Sequence, residues 1–117
     1  MDTEKKIRIQ HGVVKRMKKE FDYYQLEVRT NESKISNMKN KELGIEDDHE
    51  EHKYKIRKLD EIISESHLML LLAKEKYKFD VEKLELLYND IKRNEVSIDE
   101  NLLNDVNTLI DEFYNFM

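Results

Sequence analysis

Apolar residues recur in alternating steps of three and four through the first third of the chain and again through its middle third. From Ile7 the series runs Gln10, Val14, Met17, Phe21, Tyr24, Val28, Asn31, Ile35 and Met38. From Ile56 it runs Leu59, Ile63, Ser66, Leu70, Ala73, Tyr77, Asp80, Leu84, Leu87 and Ile91. A period of about 3.5 residues, sustained over about four heptads or more, marks long helices packed along a seam. Such a surface recognises other proteins and offers no obvious place for chemistry.

Composition agrees with helix throughout. Charged residues make up 40% of the 117, proline is absent, and glycine is confined to Gly12 and Gly44. Proline and glycine are the residues that interrupt helices. High charge also suits disorder, but a disordered segment has no reason to keep a regular apolar period. The length allows one domain with a modest core. Without cysteine there are no disulfides, thiolate metal sites or cysteine nucleophiles. The charged first residues do not resemble a signal peptide. The longest apolar run, residues 68–73, is far short of the ~20 residues that a membrane span needs. A soluble, cytoplasmic protein is expected.

The net charge of -5 hides an asymmetry. Residues 1–20 carry Lys5, Lys6, Arg8, Lys15, Arg16, Lys18 and Lys19 against Asp2, Glu4 and Glu20, whereas residues 95–117 carry six acidic side chains and no Lys or Arg. Bringing these ends together is favourable, at under ~1 kcal/mol for each exposed pair.

The pattern predicts an all-α fold: an antiparallel three-helix bundle or coiled coil in a single domain over 1–117. Helix 1 is expected at about 3–42, closed by Gly44 in a left-handed conformation. Helix 2 is expected at about 47–93, capped by Asp47 or Asp48, with the acidic run 46–51 on its positive end. Ser97 and Glu100 read as a capping box for helix 3 at about 98–116. At 1.5 Å per residue the helices are roughly 60, 70 and 30 Å long. A short connection makes the long pair antiparallel, and helix 3 must then lie beside the first half of helix 1.

Seam width varies along the pair. Asn31, His49, His52 and Ser66 interrupt it at one end, which suits a partly wet two-helix region. From Leu68 on, Met69, Leu72, Phe79, Val81 and Leu86 add to the heptad positions and suggest a broad seat for helix 3. That helix carries two adjoining stripes: Leu102, Val106, Leu109, Phe113 and Phe116, beside Leu103, Val106, Ile110, Phe113 and Met117. A helix touching two neighbours needs such a face.

Candidate chemistry is sparse. Asp47, Asp48, His49, Glu50, Glu51 and His52 are the only metal-like cluster, and the spacing of the histidines is not that of a zinc motif. Acidic residues at a helix start are the simpler reading. His11 and His67 read as solvated. The basic stretch lacks interleaved aromatics, so nucleic acid is a poor fit. Lys15, Arg16 and Lys19 lie on neighbouring turns around Gly12, whose presence in a helix interior costs about 1 kcal/mol. Gly12 falls at an outward heptad position. It allows either close approach by a partner or by helix 3, or is a tolerated weak spot. Tyr23, Tyr54, Tyr114 and the run 68–73 remain, and Leu68 or Leu71 is expected to face outward.

Two blocks carry a resemblance to a family. Residues 7–20 read IRIQHGVVKRMKKE and resemble the opening helix of tubulin-binding cofactor A, also called tubulin-specific chaperone A, in which the pattern reads I-K-x-G-V-V-K-R-L-x-K-E. Gly12-Val13-Val14-Lys15-Arg16 and Lys19-Glu20 stand in register with it. Residues 59–69, LDEIISESHLM, are similar to the middle-helix block with its Glu-Ser-x-x-Met. Family members often carry a proline just after that block, where this chain has Leu70-Leu71-Leu72, so helix 2 is expected to be straighter.

The resemblance implies a protein that binds β-tubulin, holding the monomer after chaperonin release and before it joins α-tubulin. It implies no nucleotide, metal or other cofactor, no catalytic residue and no enzyme, and a cytoplasmic, cytoskeleton-associated location. The partner-binding residues it suggests are Gly12, Lys15, Arg16, Lys19, Glu61 and Glu65, with β-tubulin as partner, no nucleic acid and no membrane. The chain is expected as a monomer or homodimer. The other reading is a structural three-helix module, or a homo-oligomeric coiled-coil adaptor.

Overall fold

A computed structural model describes residues 2–116 and contains three α-helices: α1 (Thr3–Asn40), α2 (His49–Arg93) and α3 (Glu100–Phe116). Two long helices and a shorter C-terminal one make an all-α, bundle-like fold, with no strand among the described residues. The chain divides into two compact units, Met1–Glu20 with Ala73–Met117 and Phe21–Leu72. The first contains parts of α1 and α2 and all of α3, the second parts of α1 and α2 only.

The heptad register is the observed one. On α1, Ile7, Gln10, Val14, Phe21, Val28 and Ile35 are buried, and Met17, Tyr24, Asn31 and Met38 are half-buried. On α2, Ser66, Ala73, Tyr77, Leu84 and Ile91 are buried. The polar seam residues are satisfied from within. Gln10 donates from Nε2 to the carbonyl of Asp80 at 2.9 Å. Among the described residues no buried side-chain nitrogen or oxygen lacks a hydrogen bond, as burial of polar groups requires. His49 departs from the expected seam: it is exposed, with Nε2 3.2 Å from the carbonyl of Gly44.

In the three-helix unit α3 runs parallel to α1. Arg8 reaches Asp99 at 3.8 Å, and Lys18 reaches Glu112 at 2.6 Å, so the basic and acidic ends of the chain do meet. Leu102, Val106, Leu109, Ile110 and Phe113 of α3 are buried, and the Phe113 ring meets Tyr77 edge-on at 4.8 Å between centroids. Phe116 is exposed, and Met117 lies outside the described residues.

The broad seat expected on α2 is not there. Val81 is fully buried, but Met69, Leu72, Phe79 and Leu86 are all exposed. Residues 72, 79 and 86 share one heptad position, opposite the seam, so a single direction carries them away from the core. Leu68 and Leu71 are both exposed as well.

The helix ends also differ from expectation. Gly44 does not close α1, which ends four residues earlier, in a turn where the amide of Lys41 donates to the carbonyl of Met38 at 3.4 Å. No glycine has positive φ. Gly44 instead donates its amide to the carboxylate of Asp47 at 2.7 Å. Asp48 caps α2, its carboxylate accepting the amide of Glu51 at 2.9 Å. Ser97 does not cap α3. Asp99 does, accepting the amide of Asn101 at 2.9 Å, and the helix begins two residues later than the capping box implies. A carboxylate caps as well as a hydroxyl and also gains from the helix dipole. At the end of α2 the amide of Val96 bonds the carbonyl of Ile91, and that of Glu95 the carbonyl of Lys92. This is a Schellman closure with Glu95 left-handed, at φ 51°.

Candidate partner-binding surface

Helical geometry sorts the basic residues of α1 by direction. Ile7, Gln10 and Val14 define the seam side, and three to four residues make a turn. Gly12 and Lys19 then point almost directly away from the seam, with Arg16 beside them. Arg16 and Lys19 are exposed and form no ion pair among the described residues. A Cβ built on Gly12 meets only the Arg16 guanidinium, at 3.7 Å, which is ordinary contact. No atom of α3 comes within that range, so close approach by helix 3 does not account for this glycine.

Lys15 faces elsewhere. It lines a shallow groove of about 290 Å³ between α1 and α3, with His11, Asp105, Thr108, Leu109 and Glu112. The half-buried His11 is held below the ordinary histidine pKa of 6.5. Burial is the main cause, followed by the Lys15 charge, and Asp105 opposes both. His11 is therefore not the solvated residue expected from sequence. Further along the unit, the Tyr114 hydroxyl donates to Glu85 at 2.5 Å. That bond and burial, with the charges of Glu85 and Glu82, push the tyrosine up to about 12.

Glu61 and Glu65 belong to the two-helix unit. Both are exposed on α2, one turn apart; Glu61 meets Lys58 at 3.4 Å, and Glu65 has no ion pair among the described residues. Seven residues after each come Leu68 and Leu72, so two carboxylates and two apolar side chains share one outward stripe. The rest of this unit is also apolar outside. It buries three apolar side chains, Phe21, Val28 and Ile35, and exposes nine large ones, including Tyr23, Leu26, Ile62 and Leu68. His67, expected to be solvated, is exposed but pairs with Glu32 at 2.9 Å.

The nominated residues are thus shared between the two units. Gly12, Arg16 and Lys19 lie together in one unit, Lys15 faces α3, and Glu61 and Glu65 lie in the other unit. Sequence reasoning missed Leu26, although a seven-residue step from Lys19 reaches it. Among the described residues, no three His, Cys, Asp or Glu side chains converge as a metal site. Among the same residues no helix is long and apolar enough to cross a membrane.

No curated protein and no solved structure gives a significant match to this chain. Residues 2–110 match the family model described as tubulin binding cofactor A, in accord with the two blocks that resemble that family. With that match over most of its length, the chain belongs to the tubulin binding cofactor A family, whose role is that of a tubulin-binding, chaperone-type cofactor.

Proposed function

We propose that this protein captures β-tubulin as a monomer after its release from the chaperonin and holds it until α-tubulin joins. It acts by stoichiometric binding, with no cofactor and no catalytic residue, in the cytoplasm and in association with the cytoskeleton. Family membership supports the tubulin partner. The observation that carries the reading is the pair of outward charges, Arg16 and Lys19, without an ion pair among the described residues and set beside a glycine that packing does not demand. Charges already paired within a chain have less to offer a partner, whereas unpaired exposed ones steer association and fix orientation. Gly12 leaves a gap in the side-chain layer through which a partner's backbone can approach. Lys15 borders this surface from the α3 side, and Glu61 and Glu65 contribute a second contact.

The test is capture of β-tubulin from lysate at low salt by immobilised protein. Reversing Arg16 and Lys19 to Glu should lower capture strongly while the helical circular dichroism stays as in wild type. Loss on raising the salt should follow, because exposed charges are screened within about 10 Å at 0.1 M. Undiminished capture by the reversed variant removes these residues from the contact. Retention of nothing, or of the intact α/β heterodimer alone, contradicts the function.

A further inference from the structure

The two-helix unit carries a groove of about 370 Å³ lined by Tyr23, Leu26, Glu27, Thr30 and Lys34 of α1 and by Ile62 of α2, with Asn31 at its seam side. Its apolar members are open to solvent: Tyr23 is 62% exposed, Leu26 61% and Ile62 45%. From Tyr23 to Lys34 the groove follows about 16 Å of helix, or about three turns. Exposed apolar patches of this kind mark binding surfaces.

The other unit of the same protein shows what covers such a pair of helices. There the amphipathic α3 lies against α1 and α2, burying Leu102, Val106, Leu109 and Phe113. The two-helix unit has no third helix, and it exposes nine large apolar side chains while burying three. Its lining sets Tyr23, Leu26 and Ile62 beside Glu27 and Lys34, with Thr30 and Asn31 between. This suits a helix with apolar residues at i, i+3 or i+4 and i+7, with charged flanks of both signs.

We infer that this groove seats an amphipathic helix of the bound tubulin subunit, as an apolar contact separate from the charged residues of α1. The inference rests on the proposed function for its partner. A subunit awaiting its permanent partner exposes an apolar interface, because obligate interfaces resemble a core cut in half. A holding protein must cover such a surface, and this groove supplies apolar side chains to do so. An apolar contact is screened little by salt, in contrast to that of Arg16 and Lys19.

The experiment titrates labelled protein with β-tubulin monomer newly released from the chaperonin, at low and high salt. Leu26→Lys/Ile62→Lys is expected to lower affinity about tenfold or more at both salt concentrations, the range expected on losing anchor residues. Helicity and melting temperature should remain those of wild type, since both positions are exposed and lysine favours helix. Leu26→Ala/Ile62→Ala, which adds no charge, is expected to give a several-fold loss in the same direction. Leu86→Lys, exposed elsewhere on α2, should leave affinity unchanged. A photoreactive benzophenone residue at position 26 should cross-link to a helical segment of tubulin.

Equal binding by wild type and both groove variants overturns the inference and leaves the proposed function standing. So does a cross-link only to a second copy of this chain, with a dimer by light scattering that the variants disrupt. Absence of tubulin binding by the wild-type protein is the separate failure of the proposed function, and the inference falls with it.

Discussion

Gly12 sits in the interior of α1 at a cost of about 1 kcal/mol relative to alanine, and nothing in the structure repays it. A methyl group there meets only the end of the flexible Arg16 side chain, at 3.7 Å. Gly12→Ala is therefore expected to raise stability by about 1 kcal/mol in chemical denaturation, while tubulin affinity falls. Higher stability with unchanged affinity would make the glycine a tolerated weak spot. His11 makes a prediction about pH. In the folded chain it is neutral over a range where the unfolded chain's histidine, at its ordinary 6.5, already takes up a proton. Its contribution is thus complete above about pH 6.5 and shrinks as pH falls through that value toward the lower folded one. Melting temperature should drop between about pH 7 and 5, with a smaller drop in His11→Gln. Equal drops would detach the effect from this residue. The sequence could not reveal this environment, because Asp105, Thr108 and Leu109 reach His11 only through the docking of α3.

At the scale of helices, the seam was legible and its surroundings less so. Seven-residue periodicity places Val14, Val28 and Leu84 inside because a helix repeats its direction over two turns. The same arithmetic, applied to hydrophobicity alone, misread Leu72, Phe79 and Leu86. They are apolar yet lie opposite the seam, and direction rather than residue type decides burial. Ends were legible to within a few residues. Several acidic or hydroxyl residues stood near each start, and the choice among Ser97, Asp99, Asp47 and Asp48 depends on local geometry. Val28→Asp places a carboxylate at a position only 5% exposed, which should cost several kcal/mol in denaturant unfolding. A change under about 0.5 kcal/mol would show that this part of the seam is wet. Glu95 closes α2 with φ at 51°, a region that costs a residue bearing a Cβ about 1–2 kcal/mol. Glu95→Gly should accordingly raise the melting temperature, and a lower one would contradict the strained closure.

For the whole molecule, the heptad position of Gly12, Arg16 and Lys19 was enough to place them on the outward side of α1. Placement was not legible where the docking of another helix decides a residue's surroundings. Lys15 is adjacent to Arg16 in sequence, but a step of one residue turns it about a quarter of the way round the helix, toward α3. Among the exposed apolar side chains of residues 21–72, Tyr23, Tyr54 and members of the run 68–73 stood out in the sequence, whereas Leu26 and Ile62 look like ordinary members of an amphipathic helix. What all these side chains share is that their unit has no third helix. A protein built this way is suited to hold another chain. The most direct measurement is sedimentation of the purified protein with tubulin, followed by identification of the subunits in the complex. The expected result is a stoichiometric complex containing β-tubulin without α-tubulin. A complex containing the intact heterodimer, or no complex at all, would contradict the account.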